Sequence, residues 1–314
     1  MPDRKLLVLG LCAFLAVLAF MTLGARGNWS FVLTFRGTKL AALLLVAAAV
    51  SLSTILFQTL SGNRILTPSI MGFDALYLLV QTGLVFALGE FGYATLLPEA
   101  KFAFEVVLLT VAALALFGSL LGNGLQDLFR MLLVGVIFGV LFRSLTSLLQ
   151  RLIDPNEFAV VQGAMFASFN SIDTELLLAS AVLVLACCGL AWRKRHILDV
   201  MALGRDQAIS LGLDHRRELF HGLALVTLLV ATSTALVGPV AFFGLLVSAL
   251  TYEFLKTHRH GNLMIASMLI AVIVLVGGQT LFERVLGFGG SLSIVIEFLG
   301  GLVFLFLIFR KARA

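Results

Sequence analysis

The chain has 314 residues, of which 60% are hydrophobic, and its mean hydropathy is +1.07. Polar breaks recur about every twenty to twenty-five residues between long apolar runs, a composition that excludes a soluble globular domain. The formal net charge of +5 follows from where the basic loops fall and does not require a nucleic acid partner.

The apolar runs predict helices that cross a bilayer. A crossing needs about 20 apolar residues, and the runs lack the alternation of barrel strands. The eighth run is short, and its Gly238-Pro239 start leaves open a broken or re-entrant element. Arg4 and Lys5 precede the first run as in a signal peptide, but its long core favours an uncleaved span. The ten predicted spans are Leu6–Leu23, Leu40–Leu60, Ile70–Leu88, Phe102–Leu121, Leu128–Leu149, Leu176–Trp192, Leu219–Val237, Val240–Leu255, Leu263–Gly278 and Leu292–Phe309.

The basic residues orient these spans. Ten crossings put both termini on one side, and most of the 22 lysines and arginines fall on that side. Cytoplasmic loops collect basic residues. We therefore predict an all-α, multi-pass protein of the cytoplasmic (inner) membrane, with both termini cytoplasmic and a single permease domain over residues 1–314.

The chain carries no sequence motif for catalysis. It has no GxxxxGK[ST] phosphate loop and no HExxH. The three cysteines lie inside apolar runs without the spacing of a metal site, which is typical of packing residues. We predict no catalytic residue, no metal site and no cofactor bound by the chain.

Ionisable residues are rare in the predicted spans, and Arg143, Asp74 and Glu297 are the main exceptions. An ion-coupled secondary carrier would require such residues at membrane depth. That class is the alternative function, and an intramembrane enzyme is a weaker third, because paired His, Asp or Glu motifs are absent from the spans. The scarcity of charges favours a protein whose driving energy enters from another polypeptide.

Three stretches, in order along the chain, resemble one family. Residues 36–72 read RGTKLAALLLVAAAVSLSTILFQTLSGNRILTPSIMG. This resembles the R-x-P-R segment, small-residue span, Gln and N-P-L-A-x-P-x-x-L-G of permeases from iron-siderophore and cobalamin (FecCD-type) ABC importers. The matching residues are Arg36, Lys39, Gln58, Asn63, Leu66, Pro68 and Gly72. Residues 203–212, LGRDQAISLG, and 237–245, VGPVAFFGL, are similar to the family's cytoplasmic loop and its V-G-P-I-x-F-x-G-L element.

The resemblance implies a type II ABC importer permease fold and a permease that translocates ferric siderophore. ATP would be used by two separate cytoplasmic ATPase subunits, and cargo would arrive on a substrate-binding protein. The stretch NRILTPSIMGFDALY is similar to the siderophore branch, in which two different permease chains often pair. A second permease chain is therefore expected, with a heterodimer favoured over a homodimer. Cobalamin and haem stay open as cargoes.

The resemblance also assigns roles to residues. Within the loop of about residues 193–217, apolar side chains in a basic segment favour a coupling helix for the ATPase over a merely solvated loop. Its residues are Ala202, Leu203, Gly204, Gln207, Ala208, Leu211 and Gly212. Arg36, Lys39 and Arg284 are expected to dock the binding protein, with anchoring to lipid phosphates as the alternative. A pathway or structural role is expected for Gln58, Asn63, Pro68, Gly72, Arg143, Gly238 and Pro239.

Overall fold

The chain folds into a bundle of α-helices. The computed structural model describes residues 2–24, 29–122, 128–169, 172–285, 287, 294–302 and 305, and no strand occurs in these ranges. The helices are α1 (Pro2–Thr22), α2 (Trp29–Leu60), α3 (Phe73–Ala94), α4 (Pro98–Gly122), α5 (Leu128–Leu152), α6 (Pro155–Ala164), α7 (Thr174–Arg193), α8 (Arg195–Met201), α9 (Arg205–Ser210), α10 (His215–Val237), α11 (Phe243–Leu255) and α12 (His260–Thr280). A 3-10 turn, Ser69–Met71, precedes α3, and a π-turn, Leu281–Val285, follows α12.

The helices agree with the predicted spans. Among the described residues, seven are long and apolar enough to cross a membrane, namely α1, α2, α3, α5, α7, α10 and α12. The fourth predicted span lies within α4, which has 25 residues. The last one, Leu292–Phe309, lies partly outside the described residues and is helical over 294–302. The predicted all-α membrane fold is confirmed.

The second span begins earlier than predicted. α2 has 32 residues and starts at Trp29, whereas the apolar run was predicted to start at Leu40. Arg36 and Lys39 interrupt the apolar sequence, which is why a hydropathy argument stops there. In the fold both side chains are buried and bonded within the chain, so the helix continues through them.

α2 is the central helix of the bundle. It contacts α7, α10, α11 and α12, and Ala42, Ala47 and Ala49 are fully buried. Small residues let helices approach closely where lipid gives no hydrophobic drive for association. The contact with α11 is close enough that a Cβ on Gly244 would lie 2.1 Å from Thr54 Oγ1. The small residues of the second span therefore serve helix packing.

The eighth predicted span is a broken element. Backbone from Gly238 to Phe242 is not helical, and α11 has 13 residues. At 1.5 Å per residue it is about 20 Å long, which is too short for a hydrocarbon core of about 30 Å. The break packs on the segment before α7, since Ser168 N–H donates to Val237 O at 2.7 Å. A Cβ on Gly238 would lie 3.2 Å from Ala167 Cα.

A glycine pair joins the start of α3 to α5. Gly72 links the 3-10 turn to α3 with φ of +94°, a left-handed conformation. A Cβ there would lie 2.9 Å from Gly139 Cα and 3.2 Å from Gly135 O, both of them backbone atoms. Neither atom can move without shifting α5, so this position requires glycine both for its conformation and for its space.

We predict that Gly72→Ala lowers the free energy of unfolding by about 1–3 kcal/mol, because it combines backbone strain with overpacking. Gly83→Ala, in the same helix, is the matched control. A Cβ on Gly83 meets nothing within 4 Å, and alanine is the better helix former by up to about 1 kcal/mol. Thermal unfolding of the detergent-purified protein measures both. Equal midpoints for the two variants would contradict the prediction.

Candidate functional site

The predicted coupling loop contains a short helix with glycines at both ends. α9 has six residues, and Gly204 before it and Gly212 after it have φ of +103° and +86°. At its end, Leu213 N–H donates to Ala208 O at 3.0 Å and Gly212 N–H donates to Ile209 O at 2.9 Å. These two bonds are those of a Schellman motif. The glycines thus define where this short helix starts and stops.

The same loop exposes apolar side chains. Leu203, Ile209 and Leu211 are 57%, 47% and 63% exposed. Of the predicted coupling residues, one, Ala208, is buried and attaches α9 to the bundle, and the others are exposed, namely Ala202, Leu203, Gly204, Gln207, Leu211 and Gly212. Clustered exposed apolar side chains are typical of a surface that binds a partner. The structure thus brings the predicted residues together, and their coupling role stays a prediction.

Arg36 lies near the start of α2, and its side chain binds the end of α1. Its Nη1 donates to Phe20 O at 3.1 Å, to Met21 O at 2.9 Å and to Leu23 O at 2.9 Å. The last carbonyls of a helix have no partner within the helix, and the guanidinium supplies one. Arg36 is 5% exposed. Its observed contacts are intramolecular, and its docking role stays a prediction.

Lys39 is also engaged within the chain. Its ammonium forms an ion pair with Glu283 in the π-turn after α12, and Gln279 Nε2 donates to the same carboxylate oxygen at 2.6 Å. Glu283 was missed by the sequence reasoning because it stands beside Arg284 in a segment interpreted as a loop, 244 residues from Lys39. Among the three predicted docking residues, Arg284 is the exposed one.

Gln58 and Asn63 organise the loop after α2. Gln58 is 2% exposed, and its Nε2 donates to Arg64 O at 2.7 Å and to Ser248 Oγ at 2.9 Å. Asn63 Oδ1 accepts from Ile65 N–H at 3.0 Å. Gln58 therefore holds the loop against α11, and these contacts favour the structural role over a pathway role for both residues.

Pro68, one of the remaining motif residues, lines a small cavity. Pro68 and Gly72 flank the 3-10 turn, while Gly238 and Pro239 begin the break before α11. Pro68 lines the cavity together with Phe242 and with hydroxyl groups, namely those of Ser53, Thr54, Thr67, Ser69, Ser233 and Thr234. Its volume of about 10 Å³ is on the scale of one water molecule. This geometry packs the irregular segments together.

The three charged residues of the alternative carrier hypothesis also come together. Arg143 and Glu297 both lie within electrostatic reach of Asp74. Ser69 lies beside the Asp74 carboxylate, and the Ala241 backbone lies beside that of Glu297. Both carboxylates therefore lie at irregular segments of the backbone.

A buried polar network joins α3 and α4, and the sequence reasoning missed it. Glu105 is 2% exposed and accepts from Gln81 Nε2 at 2.6 Å. Tyr93 OH donates to Gln81 Oε1 at 2.8 Å, and Lys101 contacts both the Tyr93 hydroxyl and, at 3.8 Å, Glu105. The i, i+4 spacing of Lys101 and Glu105 was the available signal.

The helical fold and its apolar spans define a multi-pass membrane protein. The chain belongs to the FecCD transport family, which matches residues 8–310. This membership confirms the predicted family and the predicted transport function.

Relatives and solved structures agree with this. The petrobactin import system permease protein YclO of Bacillus subtilis (strain 168) is 43% identical over 92% of this chain and 91% of its own length. FatC of Bacillus anthracis, also a petrobactin import permease, is 32% identical over 98% and 87%. A solved chain described as an inward-facing metal-chelate type ABC transporter aligns with a TM-score of 0.80, 21% identity and coverage of 98% and 99%. That similarity confirms the predicted fold class.

We predict that Lys39→Met lowers the free energy of unfolding by on the order of 3 kcal/mol, because it leaves the Glu283 carboxylate without its cation. The double variant Lys39→Met/Glu283→Gln is the control, since it removes both charges, and we expect it to recover most of the loss. Thermal unfolding in detergent measures both. A double variant as unstable as the single one would show that the ion pair is not what Lys39 contributes.

Proposed function

We propose that this chain is the permease subunit of a binding-protein-dependent ABC importer that carries ferric siderophore across the cytoplasmic membrane. The observation that carries the proposal is the exposed apolar surface of α9 on a chain of the FecCD family. The cargo is proposed from the relatives, since YclO and FatC are petrobactin import permeases and FepD of Escherichia coli (strain K12), 28% identical, is a ferric enterobactin transport permease.

The partners follow from this role. A cytoplasmic ATPase binds Leu203, Ile209 and Leu211, and two such subunits serve a pair of permease chains. ATP binds to the ATPase, and this chain holds no cofactor. Both termini lie on the cytoplasmic side with α9. The second permease chain differs from this one, and a substrate-binding protein delivers the chelate to the opposite face.

A groove on α5 supports a pathway shared with the second permease chain. It is open, has a volume of about 430 Å³, and is lined by Val140, Arg143, Ser144, Ser147, Leu148 and Arg151. Arg143 lies near the middle of the apolar span Leu133–Leu152 and is exposed. An arginine facing lipid at that depth is costly, so such residues face a partner or water. The groove therefore lies at the interface of the two permeases, where the chelate passes.

Replacement of the exposed leucines that flank α9 tests the proposed function. In proteoliposomes that hold both permease chains and the ATPase, loaded binding protein stimulates ATP hydrolysis by the wild type. We expect Leu203→Asp/Leu211→Asp to lose this stimulation and the associated ATPase, because two carboxylates would be buried in an apolar contact. Leu203→Met/Leu211→Met keeps the apolar surface and should behave as the wild type. Stimulation that survives in the aspartate variant would refute coupling through α9.

Binding-protein docking is tested at Arg284, the exposed one of the three predicted docking residues. We expect Arg284→Glu to weaken the affinity of the loaded binding protein at low salt by about tenfold, with a smaller effect at high salt, since exposed charges are screened. Arg284→Lys keeps the charge and is the control. Microscale thermophoresis with the permease complex in nanodiscs measures the affinity for both variants. Equal affinities for the two variants at low salt would argue that Arg284 lies outside the docking surface.

A further inference from the structure

A series of hydrogen bonds begins at α8, the helix directly before α9. Asp199 of α8 accepts, through Oδ1, the backbone N–H of His260 and the ring Nδ1–H of the same residue, both at 2.7 Å. His260 is the first residue of α12 and is 3% exposed. One carboxylate oxygen thus holds both the start of α12 and its side chain.

The contacts continue to α2. The other ring nitrogen, Nε2, forms a hydrogen bond with the Thr59 hydroxyl at 2.7 Å, and the same hydroxyl contacts Ile55 O at 2.9 Å. Thr59 lies in the last turn of α2. The imidazole therefore connects three helices that are far apart in sequence, since 61 residues separate Asp199 from His260 and 201 separate Thr59 from His260.

We propose that Asp199, His260 and Thr59 transmit displacement of the coupling helix to α2 and α12. This inference rests on the proposed function and adds the positioning residues that join the α9 surface to the membrane helices. α8 contacts α9, α12 and α2. A displacement of α9 moves α8, because the two helices are in contact. The Asp199 carboxylate then transmits the displacement to the start of α12 and, through the His260 ring, to the end of α2.

The helices that receive this displacement are held together at their other ends as well. Lys39 of α2 pairs with Glu283 after α12, and Lys39 lies 20 residues before Thr59, a distance of about 30 Å along a helix. α2 and α12 also pack along their length. They therefore move as one body, so a displacement at the α8 end appears at the far face, where the binding protein docks.

The test is uptake per ATP hydrolysed in the reconstituted complex, with radio-iron-labelled ferric petrobactin on its binding protein as the probe. We expect Asp199→Ala and Thr59→Val to keep ATPase association and stimulated hydrolysis, while uptake per ATP falls about tenfold, on the order of the factor that loss of one hydrogen bond makes in an equilibrium. Asp199→Asn keeps an oxygen that accepts both bonds and should restore coupling. His196→Ala is the matched control, because His196 lies in the same helix, with a side chain 76% exposed, 3.9 Å from Asp199.

Uptake per ATP hydrolysed distinguishes residues that transmit a displacement from residues that only stabilise the fold. A structural role would lower uptake and hydrolysis together, in proportion to the folded protein, and leave uptake per ATP unchanged. That result in both Asp199→Ala and Thr59→Val would overturn the proposal while the importer function stands. A wild-type complex without uptake of the chelate would instead overturn the proposed function, and with it the role of Asp199, His260 and Thr59.

Discussion

The bilayer offers no hydrogen-bond partner, so backbone N–H and C=O groups at membrane depth must be satisfied within the protein. This constraint explains where the buried polar side chains stand. Arg36 binds the final carbonyls of α1, and Gln58 binds the loop that follows α2. Each lies where a helix ends, and each lowers the free-energy cost of irregular backbone in lipid.

Satisfying those groups requires close packing, and the small residues of α2 provide it. Gly244 touches α2 at Thr54, and a Cβ on Gly300 of the last described helix would lie 2.5 Å from Phe242 Cβ. The half-length helix α11 is therefore enclosed on two sides at its start. Because such contacts leave no room for independent sliding, we infer that α11 and the break before it follow the movements of α2.

The sequence was sufficient for the helices and the family, because each depends on a local pattern: an apolar run or a motif. The start of α2 was predicted too late, because a hydropathy argument treats Lys39 as a boundary. The pairing of Lys39 with Glu283, 244 residues away, is not visible in a local pattern. The Asp199–His260 contact was missed for the same reason. Glu105 was missed although its i, i+4 lysine stood in the sequence. Long-range polar pairs depend on the packed fold.

Two surfaces of the described chain are in environments that do not suit them. Leu203 and Leu211 are apolar and exposed, where burial against a partner is favoured. Arg143 is charged and exposed in the middle of an apolar span, where lipid is unfavourable. The first surface calls for a water-soluble partner, and the second for a membrane partner or a wet pathway. The proposed importer, with a separate ATPase and a second permease chain, would supply both.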